Sequence, residues 1–272
     1  MESRRALDRP STVRPSGPPA PRPATGGVQS VHRALDLVEI VAAAGGRLSI
    51  GEVATGSGLP VPTVHRLLRT LVDRGYMRQL ASRQYALGFR FVPLGTTTAA
   101  LVGTDAEAVL TGLVRALGES ANVAVLSGDR AEYVAQVPSA HSMRLFTEVG
   151  RQVELHSTGV GKAMLAQLDD SQIDGIVRRA GLAARTEHTI TDRQSLQEAI
   201  TWVRERGHAM DEQEQELGVR CVAVGVPGDL PTRMAVSISG PLTRMSDEVI
   251  ARAVPLLHAG AVQLASEIGA AH

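Results

Sequence analysis

The chain has 272 residues, 43% of them hydrophobic, a formal net charge of zero and a single cysteine. That length leaves room for two domains with ordinary globular cores. One cysteine excludes an internal disulfide framework and makes the cytoplasm the default compartment, and no run approaches the roughly 18–20 uninterrupted apolar residues that span a bilayer. The zero balance hides an asymmetry. Residues 1–92 carry 13 Arg and 6 acids, net +7, whereas residues 93–272 carry 15 basic and 22 acidic residues, net −7. A polyanion is therefore the expected partner of the front half alone.

Residues 1–27 are rich in Pro, Arg, Ser and Gly and lack an apolar stretch, which reads as a disordered arm and not as a secretory signal. A first helix is predicted over 30–44, N-capped by Ser30 and ended by Gly45-Gly46. Its expected core face is Val31, Ala34, Leu35, Val38, Val41 and Ala42. A second helix opens with Ser49 and Glu52 at capping-box spacing and turns Ile50, Val53 and Ala54 inward. A turn at Gly56 and Gly58 leads to a third helix with Pro62 in its first turn, where a missing N–H costs nothing.

In that third helix Val64, Leu67, Leu68 and Leu71 form one stripe, and Thr63, His65, Arg66, Arg69 and Thr70 the other. A hairpin follows, Gly75-Tyr76-Met77-Arg78 to Gln84-Tyr85-Ala86-Leu87, with Ala81-Ser82-Arg83 at its tip. A solvated arginine face on an ordinary amphipathic helix would explain the third helix alone. It does not explain the short helix before it or the basic hairpin after it, which together make a winged helix-turn-helix. In this reading Arg66 or Arg69 takes a guanine edge bidentately, Thr63 a phosphate or thymine methyl, and Arg83 the DNA backbone.

Residues 89–103 carry few charges and read as a helical connector, packed either against a second subunit or within its own; both readings stay open. An amphipathic helix over 105–120 comes next. A hairpin is then predicted from Asn122-Val123-Ala124-Val125-Leu126 to Ala131–Val137, with a third strand over 142–146. Helices near 159–168, 170–180 and 192–206, strands over 218–226 and 233–239, and a last helix from about 246 to 268 complete an α+β domain on a mostly antiparallel sheet.

Strand parity puts Ala235, Ser237 and Ser239 on one face, opposite Met234, Val236 and Ile238. Cys221 shares its own face with Val219 and Ala223. Such a small, hydroxyl-bearing surface suits a small polar ligand, or else a solvent-facing edge with serine pairs. In Leu155-His156-Ser157-Thr158-Gly159-Val160-Gly161-Lys162-Ala163 the glycines allow close backbone approach, and amides at a helix start favour an anion. A nucleotide phosphate loop is excluded, because it needs Gly where His156 stands and Ser or Thr where Ala163 stands. Cys221 has no flanking nucleophile motif and reads as small buried packing. His141, His156, His188 and His208 are too scattered in sequence for a metal site. The acidic run 211–216 reads as a solvated loop.

Val61 to Leu71, followed by Gly75-Tyr76 and Tyr85-Ala86-Leu87-Gly88, resembles the winged helix of the IclR-type bacterial transcription regulators. Pro62 and Val61 depart from the small polar and basic residues usual there. Leu155 to Ala163, Asp211-Glu212 with Gly218 and Cys221, and Ser237-Ile238-Ser239-Gly240-Pro241 resemble the effector-binding domain of the same family. The resemblance covers 28–268 and implies a GAF-like effector domain, with Gly159, Val160, Asp211, Cys221, Ser237 and Ser239 around the effector and Asp211 set apart from its solvated run; the helix-start amides add Gly161 to the expected effector residues. It also implies dimers, often tetramers. The subgroup it suggests is that of the allantoin and glyoxylate pathway repressors, which bind small carboxylates.

The expectation is thus a disordered arm (1–27), a winged helix-turn-helix (28–90), a connector helix (91–104) and an effector domain (105–268). The function expected is that of a cytoplasmic, non-enzymatic repressor of palindromic operator DNA. It would need no cofactor or metal, would have no membrane partner, and would be released by a small organic acid such as glyoxylate or allantoate. Regulation by an aromatic or sugar acid, or in amino-acid or glycerol metabolism, is the alternative. A Cys221-dependent enzyme or sensor that does not bind DNA is a further one.

Overall fold

The computed structural model describes residues 27–145 and 147–269. All of the expected arm except Gly27 lies outside the described residues, as does Phe146 of the expected third strand. The chain divides between Phe91 and Val92 into two compact units.

The first unit contains α1 (Gln29–Ala43), β1 (Arg47–Leu48), α2 (Ile50–Ser57), α3 (Val61–Asp73), β2 (Met77–Gln79) and β3 (Tyr85–Leu87). The capping box forms as expected: the Ser49 N–H donates to Glu52 Oε2 at 2.7 Å and the Glu52 N–H to Ser49 Oγ at 3.3 Å. The three helices close over Leu37, Val41, Val53, Val64, Leu68, Met77 and Tyr85.

Three local expectations are corrected here. Val28, not Ser30, is the N-cap of α1, without a side-chain capping bond. The face that α1 buries is centred on Leu37 and Val41, while Val31 and Leu35 are each 54% exposed. Two apolar stripes overlap on this helix, and helical periodicity alone does not choose between them. Gly56 belongs to α2, where a Cβ would lie 3.1 Å from Ile40 Cγ2, so the turn itself is made by Gly58 at φ +65°. The wing also gains a strand the sequence did not show: β1 pairs with β3, giving the order β1-β3-β2.

The second unit is built on α4 (Phe91–Leu117), β4 (Ser120–Ser127), β5 (Arg130–Val137), β6 (Gln152–Glu154), α5 (Gly159–Leu165), α6 (Asp170–Ala180), α7 (Arg193–Arg206), β7 (Ala209–Glu212), β8 (Val219–Gly225), β9 (Met234–Pro241) and α8 (Asp247–Glu267). The expected connector and the amphipathic helix after it are one continuous 27-residue helix. Gly103 stands at the expected break near 104 but does not end the helix, and the Thr104 hydroxyl donates to the Ala100 carbonyl inside it. The third strand lies at Gln152–Glu154, and 142–145 of the expected strand are irregular. Part of the acidic run is also a strand, since Asp211 and Glu212 close β7.

All neighbours in the six-stranded sheet β6-β5-β4-β9-β8-β7 are antiparallel. Alternate residues feed two different cores. Val222, Val224, Val236 and Ile238 pack with α4 and α8 on one face, and Ala223 and Ala235 pack with α5, α6 and α7 on the other. α8 is the one described helix long and apolar enough to cross a membrane by length and composition. Its Ile250, Ala253, Leu257, Ala261 and Leu264 fill the first core. On α4, Ala106, Val109, Leu110 and Leu113 are buried, but Val92, Leu94 and Leu101 are 65%, 46% and 60% exposed. The connector segment is therefore not covered within its own unit.

Candidate functional site

α3 carries its apolar stripe inward, with Val64 and Leu68 buried and Leu67 and Leu71 partly buried, so His65, Arg66, Arg69 and Thr70 are left exposed on the outer face. Thr63 is half-buried in the first turn. The Thr70 hydroxyl donates to the Arg66 carbonyl at 3.1 Å, so its proton is already used within the helix. Arg83 sits at the wing tip at φ +63°, and its N–H donates to the Leu80 carbonyl at 2.9 Å. Arg78 donates from Nε to the Leu87 carbonyl at 3.3 Å and lies over the Phe89 ring. Arg47 was missed from sequence. It pairs with Ala86, the residue that Arg78 pairs with from the other side, so the two arginines flank one rung of the wing. With no strand visible around Arg47, nothing in the sequence associated it with Arg78.

In the second unit the strand register assembles a row from distant sequence positions. Ser120 pairs with Ser239, Ser239 with Cys221, and Cys221 with Asp211, across β4, β9, β8 and β7. The adjacent row sets Asn122 against Ser237 and Ser237 against Ala223. Both rows lie beneath α5, where a Cβ on Gly159 would be 3.1 Å from Cys221 Sγ. A cavity of about 50 Å³ opens there, bounded by Gly159, Asp211, Cys221, Ser239 and Tyr133, with Arg151 and Glu216 also lining it. By that volume it holds roughly three or four water molecules.

Four of the seven expected ligand residues thus converge: Gly159, Asp211, Cys221 and Ser239. Ser237 lies beside them, fully buried, and among the described residues its hydroxyl meets the weak Cys221 thiol and no oxygen or nitrogen partner. The solvent-facing alternative for this serine face is excluded by that burial. Besides Ser237, two more expected residues do not line the cavity. Val160 packs in the second core. Gly161 is pressed against Leu155, whose carbonyl oxygen would lie 2.3 Å from an added Cβ, and its N–H donates to Thr158 Oγ1 at 3.2 Å. Gly161 is thus a packing residue with its amide already bonded.

Tyr133 was not anticipated. Tyr133 faces the second core with Ala131, and a β-bulge where β5 meets Val123 and Ala124 then breaks the alternation, so that Val134 and Ala135 both face the first.

Burial dominates the electrostatics. It raises the Asp211 carboxyl to about 7, against hydrogen bonds from the Glu214 and Gln215 amides and the charge of Lys162, which favour the ionised form; the charge of Glu214 adds to the rise. Burial, helped by the charge of Asp211 and opposed by the Ser239 and Ser237 hydroxyls and the charge of Lys162, pushes the Cys221 thiol up to about 12. It remains a neutral thiol near pH 7, not a nucleophile. Tyr133 is raised by burial and by Cys221 and Asp211, with Arg151 acting in the opposite sense. Lys162, the only lysine in the chain, is buried in an ion pair with Glu214. Among the described residues no cluster of three His, Cys, Asp or Glu side chains could hold a metal ion.

Comparison with known proteins agrees with this architecture. Residues 30–81 match the IclR helix-turn-helix domain and residues 96–266 the bacterial transcriptional regulator IclR C-terminal domain. The transcriptional repressor IclR of Escherichia coli (strain K12) is 36% identical over 237 residues, 84% of this chain and 86% of that protein. The HTH-type transcriptional repressor AllR of the same organism is 28% identical over 82% of this chain and 83% of its own length. A crystal structure of an IclR homolog from Microbacterium hydrocarbonoxydans complexed with 4-hydroxybenzoate shares the fold. Its TM-score is 0.58 at 17% identity, covering 89% of this chain and all of that one. The chain belongs to the IclR family of DNA-binding transcriptional regulators.

Proposed function

We propose that this regulator is a cytoplasmic repressor that holds a palindromic operator as a homodimer or tetramer and releases it when a small organic acid fills the cavity of the second unit. The observation that carries the effector reading is the convergence of Gly159, Asp211, Cys221 and Ser239 on one cavity, beside the buried Ser237 hydroxyl, which among the described residues meets the weak Cys221 thiol and no oxygen or nitrogen partner. A buried polar group without a partner is costly, and a ligand that supplies the partner recovers that cost. Arg66, Arg69, Thr63 and His65 read DNA from α3, and Arg83 holds its backbone from the wing; Thr70 contributes through its methyl group and position, its hydroxyl being engaged. Val92, Leu94 and Leu101, exposed on α4, support the dimer. The effector shifts DNA affinity because it binds the two states differently.

A cavity of about 50 Å³ suits a two-carbon acid such as glyoxylate better than allantoate, which needs more room. An aromatic acid is the second reading: the apolar wall of Leu145, Val153 and Val219 favours it, but like allantoate it requires the cavity to widen. A gel shift on the DNA upstream of the protein's own gene, with and without glyoxylate, allantoate and 4-hydroxybenzoate, tests both. A specific complex dissolved by one acid supports the reading and names the class. A specific complex that no acid dissolves rejects the effector assignment.

A further inference from the structure

The cavity assigned above to an organic acid has an acidic wall and little free positive charge. Asp211 and Glu216 line it. Lys162 is occupied by Glu214, and Arg130 and Arg185 are both paired with Glu154; none of the three cations lines the cavity. Arg151 is the one cationic side chain that lines the cavity among the described residues, and among them its guanidinium makes no hydrogen bond or ion pair. Its backbone is fixed: the Arg151 N–H donates to the Glu148 carbonyl at 3.0 Å, and the Tyr133 N–H donates to the Arg151 carbonyl at 3.1 Å. The side chain is exposed at the rim, while the cavity floor of Ser239 and Cys221 is buried.

An anion that leaves water for this cavity loses hydration and meets the charge of Asp211, so it needs a compensating donor. A guanidinium presents several N–H donors in a planar fork that matches a carboxylate with two parallel bonds, which an ammonium cannot do. We propose that Arg151 is the specificity-determining residue that receives the effector's carboxylate at the cavity rim and orients the rest of the molecule toward Ser239 and Asp211. The proposal rests on the organic-acid reading of the cavity. It makes the carboxylate, more than the acid's carbon skeleton, the group being selected.

The test is calorimetric titration of the full-length protein with glyoxylate and 4-hydroxybenzoate, each beside its neutral amide, in wild type, Arg151→Gln and Arg151→Lys. Operator binding without acid and thermal melting serve as controls and stay unchanged. The expected result is that whichever acid binds wild type binds Arg151→Gln at least tenfold more weakly, that Arg151→Lys recovers part of the loss, and that the weaker binding of the amide moves less than twofold. Equal acid affinity in wild type and Arg151→Gln overturns the Arg151 assignment and leaves the organic-acid reading standing. Equal losses for acid and amide also overturn it, since shape and not charge is then being read. No binding of either acid or amide to wild type overturns the organic-acid reading and this proposal together.

Discussion

Asp211 faces Cys221 across the β7–β8 pair, and the two acidic groups are held near or above neutrality by the same burial. For Asp211 the folded value of about 7 lies above the ordinary value of 3.8, so the ionised form is the one the fold disfavours. Its contribution to stability is most favourable below about pH 4, declines as pH rises to about 7, and is level above that. The slope is at most about 1.4 kcal/mol per pH unit. Asp211→Asn keeps an oxygen for the Glu214 and Gln215 amides but cannot ionise. The urea stability of wild type minus that of Asp211→Asn should therefore fall between pH 4 and 7 and flatten above it. A difference independent of pH would show that Asp211 titrates normally in the folded chain.

Gly159 and Gly161 stand two residues apart and should respond in opposite ways. Gly161→Ala drives a methyl group into the Leu155 backbone, with contacts of 2.3–2.6 Å, and should cost about 3 kcal/mol, the upper end of overpacking. Gly159→Ala meets Cys221 Sγ at 3.1 Å and narrows the cavity. It should leave the melting temperature nearly unchanged while weakening effector release of the operator. Melting curves and gel shifts on both variants separate the two roles.

Lys162 and Glu214 form an ion pair whose side chains are 5% and 9% exposed, and the second Glu214 oxygen has no hydrogen-bond partner among the described residues. Removing one member leaves a buried charge uncompensated. Lys162→Met should destabilise the chain by about 3–5 kcal/mol, and the double change Lys162→Met with Glu214→Leu should recover much of it. Chemical denaturation of Lys162→Met, Glu214→Leu and the double variant measures the coupling.

Ser237→Ala removes a buried hydroxyl that, among the described residues, has no partner beyond the weak Cys221 thiol. Stability should hold or rise by about 1 kcal/mol, while the response to the effector weakens. A large loss of stability would mean the hydroxyl has a stronger partner in the folded chain.

Arg66→Ala should weaken specific operator binding by about 1–3 kcal/mol and relax preference at one base position, whereas Arg83→Ala should weaken all sequences alike and lower the salt slope by about one. Thr70→Val should have a smaller effect than either, because the Thr70 hydroxyl already serves the Arg66 carbonyl. Fluorescence titrations at several salt concentrations distinguish the three.

Local signals carried most of this architecture in the sequence. The Ser49 capping box, Pro62, the α3 stripe and the parity of β9 each rest on residues within a few positions of one another, and each is present in the structure. What was misread depends on partners distant in sequence. β1 and β6 are two and three residues long and exist only through pairing. The buried face of α1 is set by the helices that close on it. Beyond Tyr133 a bulge breaks the alternation of β5, and Arg151 stands just before a strand placed elsewhere by the sequence pattern. The serine face was legible from parity, but its closure into a row with Asp211 depends on register across four strands.

Because neighbouring residues on β8 and β9 serve different cores, the cavity floor can be rewritten without disturbing what holds α4 and α8 in place. Exchanges at 221 or 239 alter what the floor offers a ligand, and exchanges at 237 what lies beside it, while Val222, Val236 and Ile238 keep the opposite face unchanged. A sheet of this kind separates the evolution of chemical taste from that of mechanical integrity, so relatives with one scaffold can answer to different metabolites.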